Sequence, residues 1–400
     1  MSHDAALRDP ARRRWLGGAL ALAAAALVRP AAAVSLPADS QNCGAPAAWP
    51  YWQAFIAKHV QGDGRVVDFA TPDQRSTSEG QSYALFFALV NNDELLFERV
   101  LGWTRHNLMG GNAYDALPAW LWGRAADGQW RVLDANNATD SDLWIAYTLL
   151  EAGRLWNRRG YTSAGMRKLQ LIREQVLADV PGLGPMLLPG RTGFHTGTRW
   201  TFNPSYVPLQ LLRRFAAADP KGPWRVLVGN SAKMISGSAP AGFAADWIGW
   251  DGRAFGIDPA KGGIGSYDAI RVYLWAGMLD AKDPLRATLL RDLSGPAQML
   301  RAQSSLAEKI DVQRGVGTGA APVGFSAALL PYLSALGEGA LLKTQQQRIP
   351  APQSAAANAL PYYERNLVLF GQGWLENRYR FSADGRLLPA WRSTPCSAKT

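Results

Sequence analysis

Apolar residues recur at spacings of three and four through most of the chain, which predicts a mainly α-helical protein. Short β-like segments bounded by Gly and Asn lie between the helices, for example at 130–133 and 199–202. Long, aromatic-rich connections suggest helical hairpins arranged around a common axis. Periodicity alone leaves a barrel of hairpins, an irregular bundle and an α-solenoid open. Helices are predicted at 49–60, 79–91, 93–106, 140–157, 163–179, 205–217, 222–235, 266–278, 283–301, 322–335 and 358–370.

The clearest of these helices spans residues 140–157. Ile145, Leu149, Ala152 and Trp156 form one apolar stripe along it. Asp140 stands at its amino end, where an aspartate accepts hydrogen bonds from unpaired first-turn amides. We therefore expect Asp140 to cap this helix.

The amino terminus has the pattern of an export signal. Three arginines at 12–14, followed by Trp and Leu, precede an apolar run at 17–28, and three alanines at 31–33 supply a cleavage site. The paired arginines favour the twin-arginine route, and the run is short for a bilayer span, although an uncleaved anchor is the alternative. We expect a signal peptide at 1–33 and a mature chain with no membrane span, in the periplasm or outside the cell.

The rest of the chain shows no domain break. Residues 35–47 look like a flexible lead-in, and no linker or low-complexity block follows, so residues 34–400 are predicted to form a single catalytic domain. Cys43 and Cys396 lie near the two ends of the mature chain. An oxidising compartment permits a disulfide between them, and two free thiols are the alternative.

Composition narrows the possible chemistry. The net charge is +10, and the first 33 residues contribute to it with five Arg against two Asp. The remaining basic residues are scattered and form no run, so nucleic-acid binding is not expected. The four histidines, at 3, 59, 106 and 195, form no metal-binding pattern, and we expect neither a metal nor a cofactor. The Gly-x-Ser-x-Gly and phosphate-loop motifs are absent from the sequence. The 16 tryptophans offer flat faces for sugar rings, as well as material for a large core.

Three acidic segments remain as candidates. Glu79 follows Ser-Thr-Ser, Asp140 and Asp142 flank a serine, and Asp268 precedes Arg271 by one helical turn. Taken singly, each acid can be a helix cap or a partner in a surface ion pair. Taken together, they place an acid at the start of each of three predicted helices. In barrel-like folds the ends of such helices are exposed at the opening of the barrel.

These segments resemble glycoside hydrolase family 8, in particular the branch encoded with bacterial cellulose synthases. The stretch from Ala138 to Trp156 follows the family signature, departing with small residues at Ser141 and Thr148. Further similar motifs, in the same order, span roughly 45–385: Ser78-Glu79-Gly80-Gln81-Ser82-Tyr83, Asn203-Pro204-Ser205-Tyr206, Tyr267-Asp268-Ala269-Ile270-Arg271 and Phe370-Gly371-Gln372-Gly373-Trp374. The resemblance implies an (α/α)6 barrel that acts as an endo-β-1,4-glucanase.

The resemblance also implies roles for the acids. Glu79 resembles the general acid and Asp268 the general base of an inverting hydrolysis. Asp140 resembles the residue that holds the sugar at the cleavage point, and Asp142 is expected to support the site or to contact substrate. Such a pair suits a reaction in which one group protonates the leaving oxygen while the other activates water.

Aromatic and polar neighbours are expected to bind the sugar chain. Either sugar contacts or core packing can explain the aromatic residues among them. We expect stacking from Trp120, Trp122, Trp200 and Tyr206, and hydrogen bonding from Tyr267, Arg271 and Tyr362.

The expected partners are a β-1,4-glucan and a cellulose synthase complex. Chitosan, mixed-linkage glucan and xylan are alternative substrates within the family. A non-catalytic glucan-binding or assembly factor is a different kind of protein, but retention of all three acids argues against it. A helical terpene cyclase is disfavoured by the export signal and by the lack of an Asp-rich metal motif.

Overall fold

Helices account for most of the structure, a computed structural model that describes residues 48–111 and 114–393. The predicted signal peptide, Cys43 and Cys396 therefore lie outside the described residues. The helices are α1 Pro50–His59, α2 Ser78–Val90, α3 Glu94–Leu108, α4 Thr139–Leu155, α5 Arg159–Gln175, α6 Leu209–Ala218, α7 Trp224–Gly237, α8 Ala269–Gly277, α9 Arg286–Asp292, α10 Gly295–Gln303, α11 Val323–Ala335, α12 Gly339–Gln347, α13 Ala355–Ala359, α14 Tyr362–Leu375 and α15 Ala390–Ser393, with a 3₁₀ turn at Pro204–Tyr206.

An inner layer of helices forms the core. Side chains of α2, α4, α8, α11 and α14 are buried on nearly every face, and α6 is buried along 209–212 and at Phe215. A helix that is apolar all round needs neighbours on all sides. In order, α2, α4, α6, α8, α11 and α14 each contact the next, and Phe370 of α14 closes the ring against Tyr83 and Phe87 of α2.

An outer helix packs on each inner one. The pairs are α2 with α3, α4 with α5, α6 with α7, α8 with α9, α11 with α12 and α14 with α1. Six hairpins around a closed inner ring make an (α/α)6 barrel. The fold implied by the family resemblance is thus confirmed, and it resolves the choice that periodicity left open.

Two glycines allow the inner helices to approach closely. A Cβ on Gly277 of α8 would collide with the backbone of Tyr332 in α11, and one on Gly371 of α14 would collide with the Ala327 carbonyl. In both cases the added Cβ would meet backbone atoms of the neighbouring helix. Backbone atoms cannot move aside as the end of a flexible side chain can. These positions explain glycines inside otherwise apolar helices.

Several predicted helix boundaries were wrong. The segment 283–301 forms two helices, because Ser294 and the Gly295–Pro296 pair start a new one. The segment 358–370 is interrupted at Leu360 and Pro361, which separate the end of α13 from α14 at Tyr362. The segment 205–217 likewise begins as a helix only after Pro208.

Two further errors come from weak or misread local signals. The outer helix α12 was missed, because its last five residues are Lys-Thr-Gln-Gln-Gln and carry no apolar stripe. Asp140 was also misplaced as the cap residue, since α4 begins one residue earlier at Thr139 and its N-cap residue is Ala138, although Asp140 Oδ1 does accept the first-turn amide of Ser141 at 2.7 Å. Instead Thr139 donates its amide to Pro189 O at 2.9 Å and its hydroxyl to Leu188 O at 2.6 Å.

Short antiparallel strands build the connections between helices. They are β1 Ser76–Thr77, β2 Leu121–Arg124, β3 Trp130–Asp134, β4 Leu177–Val180, β5 Gly184–Leu187, β6 His195–Thr196, β7 Arg199–Phe202, β8 Ile248–Trp250, β9 Phe255–Gly256, β10 Ile264–Gly265, β11 Ala307–Asp311, β12 Val316–Ala320, β13 Tyr379–Phe381 and β14 Leu387–Pro389. The sheet orders are β1-β2-β3, β4-β5, β6-β7-β8-β9, β10-β11-β12 and β13-β14. The β-like segments predicted at 130–133 and 199–202 are confirmed as β3 and β7.

Two of these strands lead directly into inner helices. β1 pairs with β2 through Ser76 and Trp122 and continues into α2, while β10 pairs with β11 just before α8. The sheets therefore fix where these helices begin. Among the described residues, none of the helices is long and apolar enough to cross a membrane.

Candidate active site

Arg271 lies at the centre of a cluster of acids. It is the third residue of α8, and its side chain is almost completely buried. One terminal nitrogen, Nη1, contacts Glu79 Oε2 and lies 3.4 Å from Asp140 Oδ2, while Nη2 donates to Asp268 Oδ1 at 2.7 Å. One guanidinium thus joins carboxylates at the starts of three different inner helices. The ion pair expected between Asp268 and Arg271 exists, but it is in the interior and not on the surface.

The same arginine has neutral partners. Its Nη1 donates to the Tyr83 hydroxyl at 3.0 Å, and Nη2 donates to Ser205 Oγ at 3.2 Å. The Tyr206 ring lies 5.8 Å from Cζ. The Nε atom is buried without a partner among the described residues.

The barrel explains why these residues meet. Glu79 and Asp140 lie in the first turns of α2 and α4, and Asp268 directly precedes α8. The amino ends of these inner helices open at one end of the ring. Free first-turn amides and the helix dipole favour negative charge at such positions.

The three acids differ in accessibility. The side chains of Glu79 and Asp268 are 25% and 29% exposed, whereas that of Asp140 is 4% exposed. A bound substrate can therefore reach Glu79 and Asp268 from the open end, with Asp140 beneath them.

Burial and crowding change the protonation of the cluster. Burial raises the pKa of Asp140 to about 7, against the opposing effect of Arg271 and with help from Glu79. Burial alone would lower the pKa of Arg271, but Tyr83 and the acids around it hold that pKa above its usual value. Arg271 therefore stays charged, and the buried Asp140 can hold a proton near neutral pH.

Asp142 lies below this cluster and is completely buried. Its Oδ2 accepts from Asn137 Nδ2 at 2.6 Å, and burial raises its pKa to about 7. Asn137 in turn accepts the Arg191 amide at 2.8 Å. Of the two roles expected for Asp142, its complete burial favours support of the site.

Tyrosines surround Glu79 and Asp268. The hydroxyl of Tyr362 sits where a Cβ on Gly80 would be, so the start of α2 requires glycine beside Glu79. Tyr267 is 44% exposed, and its hydroxyl lies 3.3 Å from Glu308 Oε1. Tyr363 was missed from the sequence, although it adjoins Tyr362, and its hydroxyl donates to the Tyr267 carbonyl at 2.5 Å.

Aromatic rings continue outward from the cluster. Tyr206 contacts Trp247 at 6.0 Å between ring centres. Trp247 also stacks on Phe194 at 5.8 Å, with Lys261 Nζ 4.8 Å from its ring. Trp247 was not singled out from the sequence, where Ala-Asp-Trp-Ile-Gly-Trp looks like ordinary core.

The other predicted stacking residues have distinct surroundings. The Trp120 carbonyl accepts the Ser78 amide at 3.0 Å, which places Trp120 beside the start of α2. Trp200 is partly exposed and stacks on His195 at 3.6 Å.

Trp122 already has protein partners on its ring. It stacks with Trp130 at 5.3 Å between ring centres, and Arg65 Cζ lies 4.4 Å from its centre. The edge of Trp103 also meets it. This packing gives Trp122 a structural role in the β2–β3 hairpin.

Asp246 is a further acid at the site that the sequence did not reveal. It stands alone between apolar residues, so no motif marks it. Its Oδ1 accepts the amides of Ser266, Asp268 and Ala269 at 2.8, 3.1 and 2.7 Å. Burial, followed by the Asp268 charge, raises the pKa of Asp246 to about 6.

Across the described ranges, the His, Cys, Asp and Glu side chains form no group of three or more suited to a metal ion. What the described site presents is a set of carboxylates held around one arginine.

Known proteins with the same architecture are similar to this chain over most of its length. The endoglucanase of Xanthomonas axonopodis pv. citri (strain 306) is 67% identical over 388 residues, covering 97% of this chain and 100% of that protein. The endoglucanase of Escherichia coli (strain K12) is 42% identical over 344 residues, covering 86% and 91%. The crystal structure of endo-1,4-D-glucanase from Vibrio fischeri ES114 matches with a TM-score of 0.81 at 43% identity, covering 86% of this chain and 100% of that one.

The sequence profile of one family, described as glycosyl hydrolases family 8, matches residues 25–377. That range includes every acid of the site. The chain belongs to glycosyl hydrolases family 8.

Proposed function

We propose that the protein is an endo-β-1,4-glucanase that cleaves internal bonds of a cellulose-type glucan with inversion at the anomeric carbon. The observation that carries the proposal is the pair Glu79 and Asp268, both partly exposed, on opposite nitrogens of the buried Arg271. Relatives named as endoglucanases, which are similar to this chain over most of its length, support the substrate class.

Glu79 is the general acid and Asp268 the general base of this proposal. Glu79 protonates the departing glycosidic oxygen, while Asp268 removes a proton from a water that attacks the opposite face of the sugar. An inverting pair needs its carboxyl groups about 6.5–9.5 Å apart, to leave room for that water. The guanidinium that separates the two acids is consistent with a gap wider than a direct contact.

Arg271 and Asp140 hold the sugar at the point of cleavage. Glu79 must carry a proton to act as an acid, and a neutral carboxylic acid binds a guanidinium weakly. Substrate binding is therefore expected to displace Glu79 from Arg271, while Asp268 remains bound to it. Asp140, with its pKa raised to about 7 by burial, can either donate to or accept from a sugar hydroxyl.

Aromatic residues extend the site on either side. Trp120, Trp200 and Tyr206 supply stacking faces, joined by Trp247, while Tyr267 and Tyr362 supply hydroxyls near the cleaved bond. Sugar rings present apolar faces that such side chains cover well.

The cellular setting is also part of the proposal. Residues 1–33 are removed on export, residues 34–400 form the single mature catalytic domain, and the enzyme acts in the periplasm or outside the cell, beside a cellulose synthase complex. Residues 48–111 and 114–393 fall within one compact unit, which supports a single domain.

The test is product analysis on carboxymethylcellulose, mixed-linkage glucan, xylan and chitosan, with the wild type and Glu79→Gln. We expect the wild type to lower the viscosity of carboxymethylcellulose rapidly while few reducing ends appear, as internal cleavage does. A preference for xylan or chitosan would overturn the substrate assignment. Binding of glucan without hydrolysis would indicate an assembly factor. Full activity in Glu79→Gln would contradict the assignment of the active site.

A further inference from the structure

Asp246 is connected to the start of α8 more extensively than its place in the sequence suggests. One oxygen, Oδ1, accepts three amides, from Ser266, Asp268 and Ala269, at 2.7–3.1 Å. Its own amide donates to Ile264 O at 2.8 Å. A single carboxylate therefore ties the segment before α8 to the first residue of the helix.

The carboxylate of Asp268 does not cap α8, although its position at the start of the helix would normally give it that role. Asp268 is the N-cap residue of α8, and aspartate at that position usually accepts an amide of the first turn. Here its side chain makes no capping bond and reaches Arg271 instead. The amides of Ile270 and Arg271, which such a cap would accept, donate instead to Ser266 O at 3.0 Å and Asp268 O at 3.1 Å. Asp246 accepts the amides of Asp268 itself and of Ala269, which holds the backbone that directs the Asp268 side chain into the open end of the barrel.

The segment that carries Asp246 is itself fixed to α8 and to its surroundings. The Ala244 amide donates to the hydroxyl of Tyr273, a buried residue of α8, at 2.8 Å. On the other side, Tyr363 donates to the carbonyl of Tyr267 at 2.5 Å. The backbone on both sides of Asp268 is thus held by side chains from other elements.

We propose that Asp246 is a positioning residue for the general base, which holds Asp268 by accepting the amides at the start of α8. The inference rests on the proposed function, because it takes Asp268 to be the base. The hydrogen-bond acceptor, and not the negative charge, is the part of Asp246 that matters. A misplacement of about 1 Å at a catalytic group can cost about 100-fold in rate.

Three substitutions separate the acceptor from the charge. Asp246→Asn keeps an oxygen in the same place and loses the charge, Asp246→Glu keeps the charge and moves the oxygen, and Asp246→Ala loses both. Asp251→Ala is the matched control, since Asp251 Oδ1 also accepts two amides, from Arg253 and Ala254 at 2.8 and 2.9 Å, on an exposed loop.

Two measurements are made on the full mature enzyme: kcat and KM on cellopentaose, and hydrogen exchange of the amides in residues 264–272. We expect kcat to fall about 10–100-fold in the Ala and Glu variants with KM within about twofold, and exchange in this segment to accelerate. The Asn variant and the Asp251→Ala control should stay within about threefold of the wild type in kcat, with unchanged exchange.

The outcomes distinguish this inference from the proposed function. An Asn variant as slow as the Ala variant, or a Glu variant as fast as the wild type, would show that charge matters and overturn the inference. Unchanged exchange in both the Ala and Glu variants would also overturn it. A wild type that leaves cellopentaose and carboxymethylcellulose intact would overturn the proposed function alone, and hydrogen exchange would still decide whether Asp246 holds α8.

Discussion

The two ends of α4 carry buried acids in opposite settings. Asp140 lies in its first turn and Glu151 in its last turns, roughly 16 Å further along the helix axis. Each acid belongs to a cluster of carboxylates and arginines, and the two clusters differ in the number of carboxylates for each arginine. The first surrounds Arg271 at the open end of the barrel, and the second surrounds Glu151 at the other end.

The cluster around Glu151 has all its bonds made. This completely buried acid pairs with Arg154 and with Arg214, each at 2.5 Å, and accepts the Leu387 amide at 2.8 Å. Arg154 also donates to the Leu387 carbonyl at 2.6 Å. Two cations and one anion thereby hold β14 against the barrel.

The cluster around Arg271 has an excess of the opposite charge, with three carboxylates around one cation. Two of the three acids are partly exposed, and Nε of Arg271 is buried without a partner among the described residues. A cluster with more carboxylates than arginines can bind and release protons. A carboxylate paired with two arginines, as in the cluster around Glu151, stays ionised. The comparison suggests that stability is concentrated at one end of the barrel and chemistry at the other.

The largest effect is expected from breaking the acid pair at the open end. Glu79→Gln keeps the shape of the side chain but cannot donate a proton, and Asp268→Asn cannot activate water. Each should lower kcat on cellopentaose by about 10²–10⁴-fold. Calorimetry should show oligosaccharide binding within about threefold of the wild type, corresponding to less than about 1 kcal/mol.

Thermal unfolding of both variants is the control for this prediction. The unfolding temperature should not fall, because each variant keeps the shape of the side chain and leaves Arg271 with two carboxylate partners. Loss of binding together with loss of activity would mean that these residues only shape the site.

Breaking the cluster around Glu151 should have the opposite effect, a loss of stability with little change in kcat. Glu151→Ala leaves the cations of Arg154 and Arg214 without their buried partner, so the free energy of unfolding should fall by about 3–5 kcal/mol. Denaturant titration measures this loss. The kcat of the folded fraction should stay within about twofold of the wild type. A large loss of kcat in well-folded protein would contradict the division between the two ends.

A smaller effect concerns stability against pH near the open end. Burial raises the pKa of Asp142 to about 7 in the folded protein, whereas an unfolded aspartate titrates near 3.9. The folded state therefore holds a proton that the unfolded state has lost, and the free energy of unfolding falls as pH rises from about 4 to about 7. Asp142→Asn should reduce the part of this fall that lies between pH 5 and pH 7 by about 2 kcal/mol.

Denaturant titrations at pH 5 and pH 7 test this prediction. The amide oxygen in the variant can still accept from Asn137, so that the local packing is kept. Equal slopes in the wild type and the variant would show that Asp142 stays ionised in the folded protein.

The smallest effect is expected from a stacking residue. Trp200→Ala should raise KM for cellopentaose about 3–10-fold, a loss of about 1 kcal/mol, and leave kcat nearly unchanged. The matched control is Trp374→Ala, at the carboxyl end of α14, whose ring packs under Arg380 at 3.9 Å. Equal KM values in the two variants would remove Trp200 from the substrate path.

Much of the fold was accessible from the sequence because inner helices carry strong apolar patterns. Most of the predicted helices correspond to observed ones, and β3 and β7 were placed correctly. The pattern failed where it has no apolar stripe, as in α12, and where a break depends on Ser294 and Pro296. Closure of the ring was implied by the family resemblance, since periodicity cannot show which helices are neighbours.

The site was accessible to the extent that its residues lie in motifs. Glu79, Asp140 and Asp268 were found because each starts a helix within a recognisable segment. Asp246 and Tyr363 could not be found in this way, because both act through hydrogen bonds to the backbone of a distant segment. A single acid among apolar residues looks like many others until the fold places it beside α8.

The configuration of the first product tests the central account most directly. Proton NMR can follow hydrolysis of cellopentaose by the wild type before the new reducing end equilibrates. Water activated by Asp268 on the face opposite to Glu79 must release the α anomer from a β-linked glucan. The account predicts α anomer first, and release of the β anomer first would contradict it.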